Sequence, residues 1–272
     1  VGSGFYGQSV VDDAPAYRCV PTRKLRKGLL FLSCDNDAPV KILSHAELPF
    51  HPQWIAWRNG TLYAAGDDDK LHSLSIDGER KVTVTSSVDS LGGSAHVEIS
   101  ADGRWAICAN YGSGVLCVLP LAKDGTVGPA TDSKQPWPLE GLPPALEDRQ
   151  EACHPHQVRL CGRWVLACDL GADRVWVYEF DATRGALVGA INSDRHLKLD
   201  NGSGPRHLAV HPNGKWLYIL CELSGQAIHC DWDAANGRIT EKAASNVMQG
   251  ADRGCSRAHH SGLSHIEVHD NM

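Results

Sequence analysis

The stretch HLAVHPNGKWLYILCE, residues 207–222, decides the fold because other segments of the chain repeat its pattern. It reads as a short alternating strand, a polar turn that contains glycine, and a second strand rich in apolar and β-favouring residues. The same pattern begins at His96 (HVEISADGRWAICAN) and at His156 (HQVRLCGRWVLACD), and it begins again at His265 (HIEVHDNM). A further segment, QWIAWRNGTLYAAGD, has Gln53 in place of the histidine.

Each complete repeat continues with a third strand, as in GVLCVLPL, DRVWVYEF and QAIHCDWD, and with a weaker fourth segment. The repeats start near 53, 96, 156, 207 and 265, a period of roughly 40 to 60 residues that is typical of four-stranded β-propeller blades with long loops. A parallel α/β fold is not indicated, because no segment between the strands shows a sustained helical period. We therefore predict an all-β fold, one β-propeller domain over residues 1–272, with a first blade near residue 1 and a partial blade at 265.

Composition limits the class of partner. A net charge of −6 without a long block of like charges argues against a nucleic-acid-binding surface. No apolar run is long enough to span a bilayer, and the first residues do not resemble a signal peptide. We expect a cytoplasmic protein that binds a small molecule and not nucleic acid or membrane; the sequence leaves its oligomeric state unknown.

The ten cysteines suggest disulfides or a metal site until their positions are considered. The chain has no CxxC pair, and five cysteines lie inside apolar strand-like runs: Cys108, Cys117, Cys168, Cys221 and Cys230. Free cysteine behaves as a small hydrophobe in such places. We expect buried thiols there and leave open the state of Cys19, Cys34, Cys153, Cys161 and Cys255.

The first strands of propeller blades line a central channel, so the histidines that begin the repeats are expected to form an arc at its entrance. These histidines are His96, His156, His207 and His265. A purely structural role, in which they hold adjacent blades in register, remains an alternative for each of them.

Four motifs in a fixed order carry a family resemblance: ANYGSGVLCVLPL at 109–121, RQEACHPHQV at 149–158, DLGADRVWVYEFD at 169–181 and GSGPRHLAVHPNGKWLYILCELS at 202–224. With these motifs the chain resembles the seven-bladed β-propeller lactonases, which include 6-phosphogluconolactonases and 3-carboxy-cis,cis-muconate lactonizing enzymes. Weaker similarity extends over nearly the whole chain. The family has seven blades, whereas about five to five and a half are present here, so we expect a chain truncated at its C-terminus, with a further family arginine in the missing part.

The resemblance implies three catalytic residues, His156, Arg206 and Glu222, and His154 is a second candidate for the histidine because of the local HPH sequence. We expect substrate contacts from His154, His96, His207, Arg149 and Gln150. Two departures from the family pattern are Cys221, where an asparagine is common, and a shorter turn after the strand that begins at His156.

The resemblance implies hydrolysis of 6-phospho-D-glucono-1,5-lactone, a small anionic lactone, without a cofactor. Glu222 or His156 would serve as the base, and Arg206 would stabilise the oxyanion and anchor the substrate. The alternative functions are a carboxymuconate-type cycloisomerase and a non-catalytic binding or scaffold propeller. For the Arg206–Glu222 pair, the alternative is an interblade salt bridge at a partly exposed rim. The C-terminal histidines His259, His260, His265 and His269 have arbitrary spacing, so we predict no metal site.

Overall fold

The computed structural model describes residues 27–33, 40–135, 149–189, 195–247 and 265–268, together with the backbone of 17–21. Every regular element in these ranges is a β-strand, and no helix there is long and apolar enough to cross a membrane. The predicted all-β fold is confirmed.

The strands form five sheets, most of them four-stranded, in which neighbours in space are neighbours in sequence. The first sheet has β1 (Tyr17–Pro21), β2 (Gly28–Ser33) and β3 (Ile42–Glu47). The second has β4 (Pro52–Arg58), β5 (Thr61–Gly66), β6 (Lys70–Ile76) and β7 (Val82–Asp89). The third has β8 (Ser94–Ile99), β9 (Trp105–Asn110), β10 (Val115–Pro120) and β11 (Asp132–Lys134).

The fourth sheet has β12 (Pro155–Cys161), β13 (Trp164–Asp169), β14 (Arg174–Asp181) and β15 (Ala186–Val188), with β16 (His196–Lys198) paired to β14. The fifth has β17 (Pro205–Val210), β18 (Trp216–Cys221), β19 (Gln226–Asp233) and β20 (Arg238–Asn246). Their consecutive strands pair antiparallel, as expected for blades built from hairpins.

The chain divides into two compact units, residues 1–112 with 117–132 and residues 113–116 with 133–272. In the first unit the second sheet is buried on both faces. Leu62 and Ala64 of β5 pack in one apolar cluster with the first sheet, whereas Tyr63 and Ala65 pack in another with the third sheet. Because side chains alternate across a strand, burial of both faces requires the continuous apolar run that β5 shows.

In the second unit the core lies between the fourth and fifth sheets. Trp164, Leu166 and Cys168 of β13 pack with Leu217 and Ile219 of β18 in one cluster of buried residues. The five cysteines predicted to be buried thiols are free and have no exposed surface: Cys108, Cys117, Cys168, Cys221 and Cys230. Cys153 is also a free buried thiol, and Cys161 is free and half-buried.

Some predictions fall outside the described residues. These are residues 1–16 at the predicted start of the first blade, the middle of the 130–152 insertion, and the histidines at 259, 260 and 269. Cys34 and Cys255 and the side chain of Cys19 are outside as well. Residues 265–268 are described but belong to no strand.

Candidate active site

A β-bulge marks the same place in four first strands. In β12, Pro155 and Gln157 pair with consecutive residues of β13, which leaves His156 as the extra residue. In β17 the register shifts in the same way across Arg206. The bulges of β4 and β8 fall at Gln53 and Ala95. A bulge bends its strand and redirects the side chain of the extra residue, and bulges are frequent beside active sites.

The bulges correct the alignment of the repeats. The sequence pattern placed His96, His156 and His207 at one position, but the strand register makes Arg206 the counterpart of His156. His96 and His207 each follow the bulge by one residue and correspond to Gln157. The extra bulge residue is the physical reason for this one-residue offset.

His156 and Arg206 lie on adjacent first strands of the second unit. The side-chain oxygen Oε1 of Gln157 accepts the backbone N–H of Leu208 at 2.6 Å, which ties β12 to β17. The imidazole rings of His156 and His207 meet edge to face with centroids 5.3 Å apart. Two bulge residues of different chemistry, a base and a cation, are thereby brought to the same end of neighbouring strands.

Glu222 lies between two arginines. Arg206 donates from Nε to Oε2 of Glu222 at 2.8 Å, and Arg149 donates from Nη2 to Oε1 at 2.9 Å. The side chains of Arg206, Glu222 and Arg149 are only 10%, 14% and 22% exposed. Each carboxylate oxygen therefore accepts a charge-assisted hydrogen bond in a largely buried setting, and the trio carries a net positive charge.

Arg206 and Glu222 meet because they flank one paired position of a hairpin. Pro205 of β17 pairs with Cys221 of β18; Arg206 is the bulge residue that follows Pro205, and Glu222 follows the last residue of β18, so each lies one residue from the paired position. The turn is fixed by the backbone N–H of Glu222, which donates to the carbonyl of Gly204 at 2.8 Å.

Asp173 orders both loops that carry the arginines. Its Oδ1 accepts the side-chain amide of Gln150 at 2.8 Å and the backbone N–H of Gly204 at 2.7 Å, and its Oδ2 accepts the N–H of Gly202 at 2.8 Å. Gln150 is adjacent to Arg149, and Gly204 precedes Arg206 by two residues. Burial raises the pKa of Asp173, although the backbone N–H groups oppose this shift.

Sequence reasoning missed this role of Asp173, and a repeated signal could have revealed it. Asp69 of the first unit has the same left-handed backbone conformation as Asp173, with φ of 63° and 51°. Asp69 likewise accepts the backbone N–H of Gly93, in the loop that leads into the next first strand. Both aspartates share one pattern: each lies in the turn after the second strand of a sheet, and a glycine lies just before the first strand of the next sheet.

Two further histidine contacts lie beside Arg206. The Nδ1 atoms of His207 and His265 are 2.8 Å apart, and their rings meet edge to face at 5.1 Å. Nη1 of Arg206 is 3.5 Å from Nε2 of His207. The structure thus brings together His156, His207 and His265 of the predicted arc, next to the Arg206–Glu222 pair.

The remaining predicted site residues have other surroundings. His96 belongs to the first unit, has no exposed surface and packs against the ring of Trp54. His207 has no exposed surface either, and Gln150 is buried with its amide nitrogen bound to Asp173 and the carbonyl of Leu170. The side chains of these three residues are covered by protein, and their expected substrate contacts stay predictions.

His154 and His156 differ in their partners. Nε2 of His154 is 2.9 Å from Oε1 of Glu151, and its backbone N–H donates to Oδ1 of Asp169 at 2.8 Å. The pKa of Glu151 lies below its ordinary value: burial would raise the pKa, but a backbone hydrogen bond and His154 together lower it by more. Of the two histidines, only His156 occupies a bulge and has a ring contact with His207. The geometry favours His156 for a role beside Arg206.

Cys221 occupies the position that Asp169 has in the preceding sheet. Asp169 accepts two backbone N–H groups and the indole N–H of Trp176. Cys221 instead lies in the apolar core, and burial, with a contribution from Asp173, raises the pKa of its thiol to about 12. The turn that carries Glu222 is ordered by backbone hydrogen bonds, and the thiol of Cys221 has a hydrogen bond with Ser224 in the same turn.

The described residues contain no group of three or more histidine, cysteine, aspartate or glutamate side chains placed to hold a metal ion. What the arrangement offers is a half-buried imidazole, two guanidinium groups and one carboxylate that bridges them. Such a set can bind an anion, accept a proton and stabilise a developing negative charge on an oxygen atom.

Comparison with known proteins gives consistent matches. Residues 19–271 match the family described as "Lactonase, 7-bladed beta-propeller". A 6-phosphogluconolactonase of Pectobacterium carotovorum is 29% identical over 198 residues, which cover 72% of this chain and 55% of that protein. A 6-phosphogluconolactonase of Bacillus subtilis is 29% identical over 149 residues, 54% of this chain and 39% of that protein. The chain thus spans about half the length of these relatives, or less.

The fold also matches solved structures. The periplasmic gluconolactonase of Pseudomonas aeruginosa superposes with a TM-score of 0.74 at 25% identity, over 87% of this chain and 69% of that one. The sheets described above therefore correspond to blades of a known β-propeller.

Proposed function

Because the chain belongs to the seven-bladed β-propeller lactonase family, we propose that it hydrolyses a small anionic sugar lactone, 6-phospho-D-glucono-1,5-lactone, to 6-phosphogluconate. The observation that carries this proposal is the pair of guanidinium groups, Arg149 and Arg206, held by the single carboxylate Glu222, with His156 on the adjacent first strand. Their net positive charge suits an anionic substrate. Two relatives named 6-phosphogluconolactonase support the choice of lactone.

His156 is the base in this proposal. Both oxygens of Glu222 already accept a guanidinium N–H at 2.8 and 2.9 Å, so the chief role of Glu222 is to hold the arginines. Water attacks the lactone carbonyl carbon while His156 takes its proton. The bond between that carbon and the ring oxygen then breaks, and the imidazolium returns the proton to the leaving oxygen. Positioned general base catalysis contributes about 10²- to 10⁴-fold.

Arg206 stabilises the oxyanion that forms on the lactone carbonyl oxygen. Its Nε is fixed by Glu222, so the planar guanidinium is presented in one orientation and does not have to reorganise during the reaction. Removal of one such donor costs about 10²- to 10³-fold in turnover. Arg149 supplies a second positive charge for the anionic group of the substrate.

We place the protein in the reducing cytoplasm. The described cysteines are all free thiols, which agrees with a reducing compartment. The Pseudomonas relative is periplasmic by name. Fractionation of the native cells decides between the two compartments.

The test is hydrolysis of freshly generated 6-phospho-D-glucono-1,5-lactone by the full-length protein, followed as acid release above the spontaneous rate. Arg206→Ala and His156→Asn are expected to lower kcat/KM by about 10²-fold or more. Arg184→Ala, which removes an exposed arginine from a surface ion pair, is the control and should stay within about twofold. A folded protein without turnover would overturn the proposal.

Two further substrates separate the alternatives. Unphosphorylated glucono-1,5-lactone should be hydrolysed with a higher KM, because it lacks the charge that Arg149 is proposed to bind. Formation or opening of the lactone of 3-carboxymuconate, with no hydrolysis of the sugar lactones, would identify a cycloisomerase instead. No turnover of any of the three would favour a binding module.

A further inference from the structure

The contacts of Arg206 determine which atoms of the neighbouring histidines carry protons. A guanidinium group can only donate, so Nε2 of His207, 3.5 Å from Nη1 of Arg206, faces it as an acceptor. The ring proton of neutral His207 then lies on Nδ1, which donates to Nδ1 of His265 at 2.8 Å. His265 in turn carries its proton on Nε2. The hydrogen bonds thus run in one direction, from Arg206 to His207 to His265.

Only one proton fits between the two Nδ1 atoms. A second proton on His265 would place two N–H groups against each other, and a proton on Nε2 of His207 would face the guanidinium. His207 has no exposed surface, so water cannot take over a lost contact there. The contacts of Arg206 with His207 and of His207 with His265 can therefore form together only while both histidines are neutral.

The charged groups around the pair favour this neutral state. Burial lowers the pKa of His265; Glu267 of the same segment opposes this, while Arg206 and Arg159 of β12 lower the pKa further. His207 faces Arg206, His156 and His265. The groups around His265 thus favour its neutral form.

We propose that His207 and His265 are positioning residues for Arg206: as a neutral pair they hold its guanidinium in line with Glu222, and a proton taken up by the pair releases it. Glu222 fixes Nε of Arg206, and His207 contacts Nη1, so the two contacts together define the plane of the guanidinium. The pair thereby makes the site dependent on pH through a group that does not touch the substrate.

The effect on turnover rests on the proposed lactonase function, whereas the pair and its link to Arg206 do not. At acidic pH, proton uptake by the pair should lower kcat, because Arg206 loses the orientation that oxyanion stabilisation needs. A misplaced group of this kind typically costs about ten- to a hundredfold. The change should fall mainly on kcat, since Arg149 and Glu222 keep their own contact.

Variants of His265 in the full-length protein separate this proposal from simple packing. His265→Asn keeps an acceptor oxygen near the position of Nδ1 but cannot take up a proton, whereas His265→Leu removes the acceptor. His265→Leu should lower kcat by about tenfold or more at pH 7.5, and His265→Asn should recover it to within about threefold and lose the acidic limb of the pH profile. His229→Leu is the control and should match the wild type, because His229 of β19 packs against Trp216 and Tyr218.

Nuclear magnetic resonance tests the pair without substrate. With ¹⁵N-labelled histidine and arginine, we expect protonated Nδ1 on His207 and protonated Nε2 on His265 at about pH 8. On acidification the Nε–H resonance of Arg206, which reports its bond to Glu222, should shift in the same step as the ring nitrogens.

Three results would overturn the proposal: the opposite tautomers, an Arg206 resonance that does not respond, or a His265→Leu variant with unchanged kcat. The expected resonances in a protein that hydrolyses no lactone would support the pair and overturn the proposed function alone.

Discussion

Replacing Glu222 by glutamine removes the negative charge between Arg149 and Arg206 while keeping the size of the side chain. One amide oxygen can still accept a hydrogen bond, but the amide NH₂ group faces the second guanidinium, and two positive charges remain without a counter-charge. A hydrogen bond to a charged group contributes about 1.5 to 3 kcal/mol. Loss of one partner from a buried pair costs about 3 to 5 kcal/mol. Because Glu222 is 14% exposed, we expect about 3 kcal/mol, the lower end of that range.

Thermal unfolding followed by tryptophan fluorescence measures the effect. A loss of about 3 kcal/mol corresponds to a Tm lowered by about 6 to 12 °C for a unit of this size. Glu179→Gln is the matched control, because Glu179 pairs with Arg163 at 3.7 Å on the surface, with side chains 40% and 58% exposed. Such a pair contributes about 0 to 1 kcal/mol. Equal shifts for the two variants would refute the buried character of the Glu222 interaction and reduce it to a surface salt bridge.

Three other perturbations have defined outcomes. Gly204→Ala should lower the free energy of unfolding, measured in urea, by at least about 2 kcal/mol more than Gly214→Ala does. Both glycines have a left-handed backbone, but a Cβ at 204 would lie 2.4 Å from the side chain of Leu223, whereas a Cβ at 214 would meet open space. A smaller difference would mean that the loop moves aside. Burial raises the pKa of Asp173 above its ordinary value of 3.8. Its contribution to the free energy of unfolding is therefore fully present below pH 3.8 and is lost as the pH rises through the raised pKa. Asp173→Asn should lack this pH dependence when unfolding is measured across acidic pH. Iodoacetamide should label Cys161 before any other described cysteine in the folded protein, because the others are buried, and peptide mass spectrometry showing early labelling of a buried thiol would contradict the packing.

The strands were predictable from the sequence because their pattern is local. In WLYILC or WVLACD the apolar run, the preceding glycine turn and the β-branched residues all favour a buried strand, and the structure places β18 and β13 there. The buried state of Cys168 and Cys221 followed from the same runs.

The alignment of the site residues was not predictable in the same way. A bulge adds one residue without changing the apolar pattern, so His207 looked equivalent to His156 although Arg206 is its counterpart. The contact of Arg149 with Glu222 joins residues that are 73 positions apart, and no local spacing encodes it. Tertiary packing determines such contacts.

The aspartates in the turns after β5 and β13 have a consequence for the order of folding. Each binds the loop that comes later in the chain, Asp69 with Gly93 and Asp173 with Gly202 and Gly204. During synthesis the earlier blade emerges first, and its aspartate stays hydrated until the following loop leaves the ribosome. The two blades that carry Asp69 and Asp173 are therefore completed only when the following loop is present, as in repeat proteins whose stability resides in the interfaces between neighbours. The exchange of the amide protons of Gly93 and Gly204 should report the closure of these two junctions one after the other along the nascent chain.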